Sequence, residues 1–303
     1  MSLDYYIADV FTKTLFAGAQ IAVFPHADTL SDEQMQLIAR EMNLSETVFV
    51  TNPDNRTTDR TMRIFSPLAE IDFAGHPIIA TAFVLAKCGD ISVTEPNTHL
   101  RFKQNRGDFD VNVSASAGEV TLVQFSQKVS SVIDRFTPSD NELAEFLSLE
   151  SNALDHKQYS TRLVSCGFPY LIVPVWNYDS VRQAKFNFSA WSQSAAPQTA
   201  AQEILLFSPK TPFQDANFNA RLLGPNIGPL EDPPVGSAMT AFASYLCSFD
   251  FTQLGTYTFS VDRGDAVNRR SVINIEMDHK RQSELTLRIG GEAVLVAQGM
   301  MVI

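Results

Sequence analysis

Cysteine is scarce in this 303-residue chain: Cys88, Cys166 and Cys247 are odd in number and far apart. That excludes a disulfide-stapled scaffold. With no Cys-x-x-Cys pair, no His-x-x-x-His helix, no dense carboxylate cluster and five histidines in all, a metal site is not expected. Two of the thiols fall near the ends of apolar helical stretches, where cysteine behaves as a small hydrophobe. There is no Gly-x-Gly-x-x-Gly or phosphate-loop pattern, which removes the common nucleotide-binding classes. No apolar run approaches the ~18 residues of a membrane helix. The start, Met1-Ser2-Leu3-Asp4-Tyr5, lacks the basic and apolar regions of a secretory signal, so no membrane association and a cytoplasmic location are expected. Positive charge is short too. Against 34 Asp and Glu stand 23 Lys and Arg, a net charge of −11 that repels nucleic acid, and no basic cluster offsets it locally.

What remains is the composition of a soluble globular protein, 45% hydrophobic and 19% charged, at a length that favours about two domains. An internal repeat agrees. Thr81-Ala82-Phe83 returns as Thr240-Ala241-Phe242, and upstream Arg63-Ile64-Phe65-Ser66-Pro67 returns as Arg221-Leu222-Leu223-Gly224-Pro225. Each copy reads as strand, Gly/Pro turn and helix, and a duplicated unit implies two similar lobes with a ligand site in the crevice they share. The expected division is an N-terminal lobe over 1–125, a C-terminal lobe over 126–285, and closing strands over 286–303 that return to the N-terminal lobe.

Short β-branched runs predict strands over 4–11, 20–24, 47–50 and 62–65, the first two joined through Gly18. Ser31-Asp32-Glu33-Gln34 has capping-box spacing before Met35, Ile38, Ala39 and Met42, which predicts a helix over 31–42 that releases the chain at Asn43. Pro77 suits a first helical turn and Gly89 a stop. Alternating strands follow to 125, and 127–136 reads as the crossing into the second half. There a helix begins near Ser139 with Leu143, Phe146 and Leu147 on one face. A buried strand is expected over 170–176, a surface excursion over 192–202, and strands near 257–261, 272–277, 285–289 and 293–297. The class is α+β, with mixed, mostly antiparallel sheets wrapping a helix in each half.

Chemistry concentrates in three segments: Leu44-Ser45-Glu46-Thr47, Phe73-Ala74-Gly75-His76-Pro77 and Glu231-Asp232-Pro233-Pro234-Val235-Gly236-Ser237-Ala238. The last two stand where a helix begins, and helix N-termini present unpaired N–H groups and partial positive charge that suit a carboxylate. A carboxylic acid moves a weakly acidic C–H proton well when burial raises its pKa, and Glu46 is flanked by Leu44, Val48 and Phe49. On residues alone Glu46 is either that acid, or a glutamate that caps a loop or pairs with Arg63. His76 either bonds a substrate oxygen or Glu46, or caps its own helix. Asp232 either orients His76 or binds an amine, or is an ordinary cap. Gly75, Gly236 and Ser237 offer N–H groups and a hydroxyl to a substrate carboxylate, whereas Arg63 and Arg221 read as structural.

The order of these motifs, with Asp9-Val10-Phe11-Thr12 and Gly18 before them and Ile289-Gly290-Gly291-Glu292-Ala293-Val294 after, resembles the phenazine-biosynthesis PhzF-like family, relatives of diaminopimelate epimerase and proline racemase. The resemblance runs nearly end to end. It implies a diaminopimelate epimerase-like fold of two pseudo-symmetric lobes, a site between them, no cofactor and a homodimer. It also implies Glu46 as proton carrier, with His76, Asp232 and Ser237 completing the site. The expected activity is a cofactor-independent isomerase moving a proton within a small carboxylated, amino-acid-like or cyclic unsaturated metabolite. The alternatives are an epimerase with one base and one acid, or a non-catalytic small-carboxylate binding protein. Ala74 and Pro233 occupy the places where the epimerase relatives carry cysteines, so the two-thiol mechanism is disfavoured. Departures from the pattern are Ala19, expected to line the substrate pocket, Val235 and Arg270.

Overall fold

Ser31 does what its spacing predicts: its hydroxyl accepts from the N–H of Gln34, the Gln34 side chain accepts from the N–H of Ser31, and α1 (Asp32–Met42) ends at a left-handed Asn43. This is a local instruction, and it is carried out locally. The computed structural model describes residues 2–53, 57–134, 136–199, 202–227, 236–281 and 284–303, with residues 237, 281 and 284 described in their backbone only. The chain divides into two units, Met1–Gln127 with Arg288–Ile303, and Lys128–Leu287.

In the first unit the strands are β1 (Ser2–Val10), β2 (Ala19–Phe24), β3 (Glu46–Thr51), β4 (Arg60–Phe65), β5 (Glu70–Ile71), β6 (Asn97–Gln104), β7 (Gly107–Ser116) and all but the last two residues of β8 (Glu119–Val129), and α2 (His76–Lys87) follows β5. The pairs β2–β3 and β4–β6 are parallel; β1–β2, β3–β4 and β6–β7 are antiparallel. Gly18 turns the chain from β1 into β2 at φ +66°, and a Cβ there would sit 2.1 Å from the carbonyl oxygen of Val10. Alternation along β3 then sorts side chains by face. Phe49 packs with Ala22, Phe24, Phe65, Met35 and Ile38 under α1. Glu46, Val48 and Val50 therefore point the other way, toward α2, which packs on β1, β2 and β3. From His76 to Leu85 every residue of α2 is buried, as an all-round apolar helix requires.

The second unit contains β9 (Val132–Asp134), α3 (Asp140–Leu147), β10 (Arg162–Ser165), β11 (Pro169–Pro174), α4 (Tyr178–Gln183), α5 (Phe188–Gln193), β12 (Glu203–Ser208), β13 (Phe218–Leu223), α6 (Ser237–Cys247), β14 (Gly255–Arg263) and β15 (Ser271–Arg281). In β16 (Glu284–Gly291) the chain passes to the first unit at Arg288, where β17 (Ala293–Val302) pairs antiparallel with β1. Pairing repeats the first unit step for step: β10–β11 antiparallel, β11–β12 parallel, β12–β13 antiparallel, β13–β14 parallel, β14–β15 antiparallel. The two repeated arginines sit on equivalent strands β4 and β13, and the two Thr-Ala-Phe runs lie in α2 and α6. Ser139 caps α3 through a second capping box, with Leu143, Phe146 and Leu147 buried.

The expected crossing at 127–136 contains the boundary between the units, at Gln127 and Lys128, together with the end of β8 and the short strand β9. One expectation is corrected. The stretch 192–202 is only partly a surface excursion: α5 ends at Gln193, a 3₁₀ turn spans Ala196–Gln198, and Trp191 and Ala196 join the core beside Leu143, Phe146 and Leu206. Its Ser/Ala/Gln composition hid one apolar anchor, Ala196, just after the buried Trp191; residues 200 and 201 lie outside the described residues. Among the described residues no helix is long and apolar enough to cross a membrane.

Candidate active site

Glu46 is the first residue of β3 and His76 the first of α2, and the packing of α2 on the Glu46 face of β3 brings them together. His76 Nε2 lies 2.7 Å from Glu46 Oε2, with the two residues 3% and 9% exposed. An ionised carboxylate only accepts, so Nε2 carries the hydrogen of this bond. Burial on its own pushes the Glu46 carboxyl up. The charge and hydrogen bond of His76, with a further hydrogen bond from Ser45, outweigh it, and the net pKa is lowered from 4.5. This corrects the expectation of a raised pKa: desolvation is present, but the imidazole overcomes it. Glu46 thus rests as a carboxylate.

Two expected contacts are absent among the described residues: Arg63 with Glu46, and a His76 cap on α2. Arg63 does not reach Glu46, because it registers with Phe49 and so projects from the opposite face of the sheet. There it forms a two-pronged pair with Glu70, at 2.8 Å through both Nε and Nη2, and bonds Asp32 in the first turn of α1. His76 is not the helix cap either; Gly75 holds that position and no side chain caps α2. Gly75 is required for space rather than for a special φ, since a Cβ would lie 2.4 Å from the Phe125 ring. Pro77 has no N–H, which leaves the first turn of α2 with the N–H groups of Gly75 and His76 ahead of it.

Ala19 begins β2, buried, two residues before Ile21, whose register partner is Glu46. Side chains paired in register share a face, so Ala19 and Glu46 stand on the same side of neighbouring strands. Asp232, with Pro233 and Val235, lies outside the described residues. Gly236 is the buried N-cap of α6, and Ser237 is the first residue of that helix, its side chain outside the described set. Ser45 was not singled out from sequence, although it adjoins Glu46 in the motif.

The cysteines are free. Burial raises the thiol pKa of each, that of Cys247 to about 11. Cys166 contacts the Ser244 hydroxyl at 3.4 Å and Cys247 the Met277 sulfur at 3.3 Å, which is packing rather than nucleophile activation. Among the described residues no three His, Cys, Asp or Glu side chains gather as metal ligands.

A family model described as phenazine biosynthesis-like protein matches residues 8–299. The chain belongs to that family. It is 31% identical to an uncharacterised isomerase of Mesorhizobium japonicum, over 99% of both chains. It is 27% identical to the trans-2,3-dihydro-3-hydroxyanthranilate isomerase of Pseudomonas chlororaphis, again over 99% of both. Among solved structures, a PhzF-family phenazine biosynthesis protein of Bacillus anthracis superposes with a TM-score of 0.86 at 23% identity over the full length of both chains. The α+β fold is shared with these PhzF-like proteins, and the chain is an isomerase of the family.

Proposed function

We propose that this isomerase moves a proton between two carbons of a small carboxylated metabolite, amino-acid-like or cyclic and unsaturated, with Glu46 carrying the proton. The buried Glu46–His76 pair carries the proposal. In the first step the Glu46 carboxylate takes a proton from an acidified C–H, and the electron pair left on carbon delocalises through the adjacent double bond. In the second, Glu46, whose carboxyl proton exchanges with solvent before it is passed on, delivers a proton to the far end of the conjugated system. The double bond has shifted, atoms balance, and no oxidant is consumed.

A carboxylate of lowered pKa is a weak base, and the geometry suggests how substrate strengthens it. His76 is what holds the pKa down against burial. A substrate oxygen that takes the hydrogen bond of Nε2 would leave Glu46 in an apolar place without its counter-group, and its basicity would rise. The N–H groups of Gly75 and His76 are suited to the substrate carboxylate, and Ala19 to the pocket wall that sets substrate size. Trans-2,3-dihydro-3-hydroxyanthranilate, named in the Pseudomonas chlororaphis relative, is a compound of this class and the first to assay. In deuterium oxide, product formed by the wild type should carry solvent deuterium at the new C–H. With Glu46→Gln the exchange should fall by at least ~10²-fold, the lower range for general acid–base catalysis. Exchange at a near-native rate in that variant would overturn the proposal.

A further inference from the structure

The last residue of β6 and the two residues of the turn into β7 grip the segment that leads into α2. Asn105 Nδ2 donates to Glu70 Oε1 at 3.2 Å, and the N–H of Arg106 donates to the carbonyl of Asp72 at 3.2 Å. The Arg106 guanidinium also lies over the Phe73 ring, 5.7 Å from its centroid. The third member is buried. Gln104, 2% exposed, accepts from the N–H of Ala74 at 3.3 Å and donates through Nε2 to the carbonyl of Ala74 at 3.2 Å. Its amide makes to one residue the two bonds that a neighbouring strand would make.

A buried glutamine is costly in desolvated polar surface, and an apolar side chain of the same length would fill the space without that cost. What it does for Ala74 explains it. Between Ala74 and His76 stands Gly75, the residue type with the widest backbone freedom. The Phe125 ring limits Gly75 on one side, and the helix holds His76 on the other. Only the peptide before the glycine remains to be fixed. We propose that Gln104 is a positioning residue, which locks both polar groups of Ala74 so that His76, two residues on, presents Nε2 to Glu46. The inference rests on the reading of the Glu46–His76 pair as the reacting site, and it extends that site to a hairpin turn thirty residues downstream of Ala74.

The test is the imidazole ¹⁵N–¹H spectrum of the full chain, in the wild type and in Gln104→Leu, with Gln104→Met as a second variant of near-equal length should Leu fail to fold. The Nε2–H signal of His76 should leave its native position in either folded variant, while those of His26, His99, His156 and His279 stay. An unmoved His76 signal in a folded variant would overturn the inference. So would displacement of all five together, which would mean a general loosening. The measurement needs no substrate, so it stands apart from the catalytic reading: that reading fails if exchange does not depend on Glu46, whereas the positioning role fails if His76 does not respond to Gln104.

Discussion

Glu46 and Glu203 each open the strand that runs parallel to its predecessor, β3 in the first unit and β12 in the second. In each case the residue three positions on, Phe49 or Leu206, registers with a repeated arginine, Arg63 or Arg221. The surroundings of the two carboxylates then diverge. Glu46 has His76 at 2.7 Å and a lowered pKa. Glu203 has no imidazole; burial raises its pKa, and the charge of Arg263 offsets only part of that. Alignment on the Thr-Ala-Phe runs puts Val235 opposite His76 in the repeat, so the second copy does not encode the partner. The arginines diverge as well. Arg63 pairs with Glu70 and Asp32, while Arg221 donates to the carbonyl of Ala184, at 2.8 Å, where α4 ends. A duplicated framework supplies a desolvated carboxylate position twice, and the imidazole beside one of them decides the direction in which its pKa moves.

The largest expected effect tests whether chemistry is confined to one copy. Glu46→Gln should lower proton exchange by at least ~10²-fold, and Glu203→Gln should leave it near native. Equal losses would erase the distinction between the units. Next, His76→Asn should convert the first site toward the second: with burial, the largest influence, opposed by the Ser45 hydrogen bond alone, the Glu46 carboxyl pKa should rise above its usual value, as read by carbon-detected NMR titration. Leaving a buried acceptor without its donor should also cost about 1–3 kcal/mol in urea unfolding. An unmoved Glu46 titration would show that His76 does not control its charge.

Gly75→Ala places a methyl group against Phe125 and should destabilise by about 1–3 kcal/mol, with Phe125→Leu recovering part of the loss in a double-mutant cycle. A Gly75→Ala protein as stable as the wild type would show that the turn is not confined by that ring.

The pH dependence of stability should separate Glu46 from Asp262 by sign. Glu46 binds its proton less readily folded than unfolded, so its contribution is complete above the unfolded value of 4.5 and is lost as pH falls through the folded value. Asp262 behaves oppositely. Burial raises its pKa from 3.8 to about 6, despite Asn219 at 2.8 Å and Arg270 Nε at 2.6 Å. The folded protein therefore holds the extra proton between those values, and this contribution, present below about 3.8, is lost as pH rises through about 6. Urea midpoints from pH 3 to 8 should lose the second slope in Asp262→Asn and part of the first in Glu46→Gln. Slopes unchanged in both variants would refute the assignment. The smallest effect is expected from replacing Cys88, Cys166 and Cys247 by Ser or Ala, which should leave exchange intact. Thiol-reagent inactivation that substrate prevents would restore the two-thiol mechanism.

Local signals in the sequence were the most legible. Ser31 and Ser139 announce their helices because a capping box closes within four residues. The apolar run after Pro77 marks a buried helix with His76 at its start. Arg63 was open on residues alone, yet strand parity carries the answer: Glu46, Val48 and Val50 share one face, and Phe49, the partner of Arg63, lies on the other. Glu203 was passed over, although Glu203-Ile204-Leu205-Leu206-Phe207-Ser208 repeats the acid-then-apolar pattern of Glu46-Thr47-Val48-Phe49-Val50-Thr51. Gln104 gave no signal, since a polar residue ending an alternating strand looks like solvent-facing surface.

By itself the sequence determined the duplicated strand–turn–helix plan, the helix caps, the family and the pairing of an acid with an imidazole as candidates, because each depends on residues close in the chain or on motifs kept in order. Tertiary structure decided the charge on Glu46, the partners of Arg63 and the hold of Gln104 on Ala74. These are balances between burial and a neighbour thirty residues away, and only packing sets both sides of such a balance.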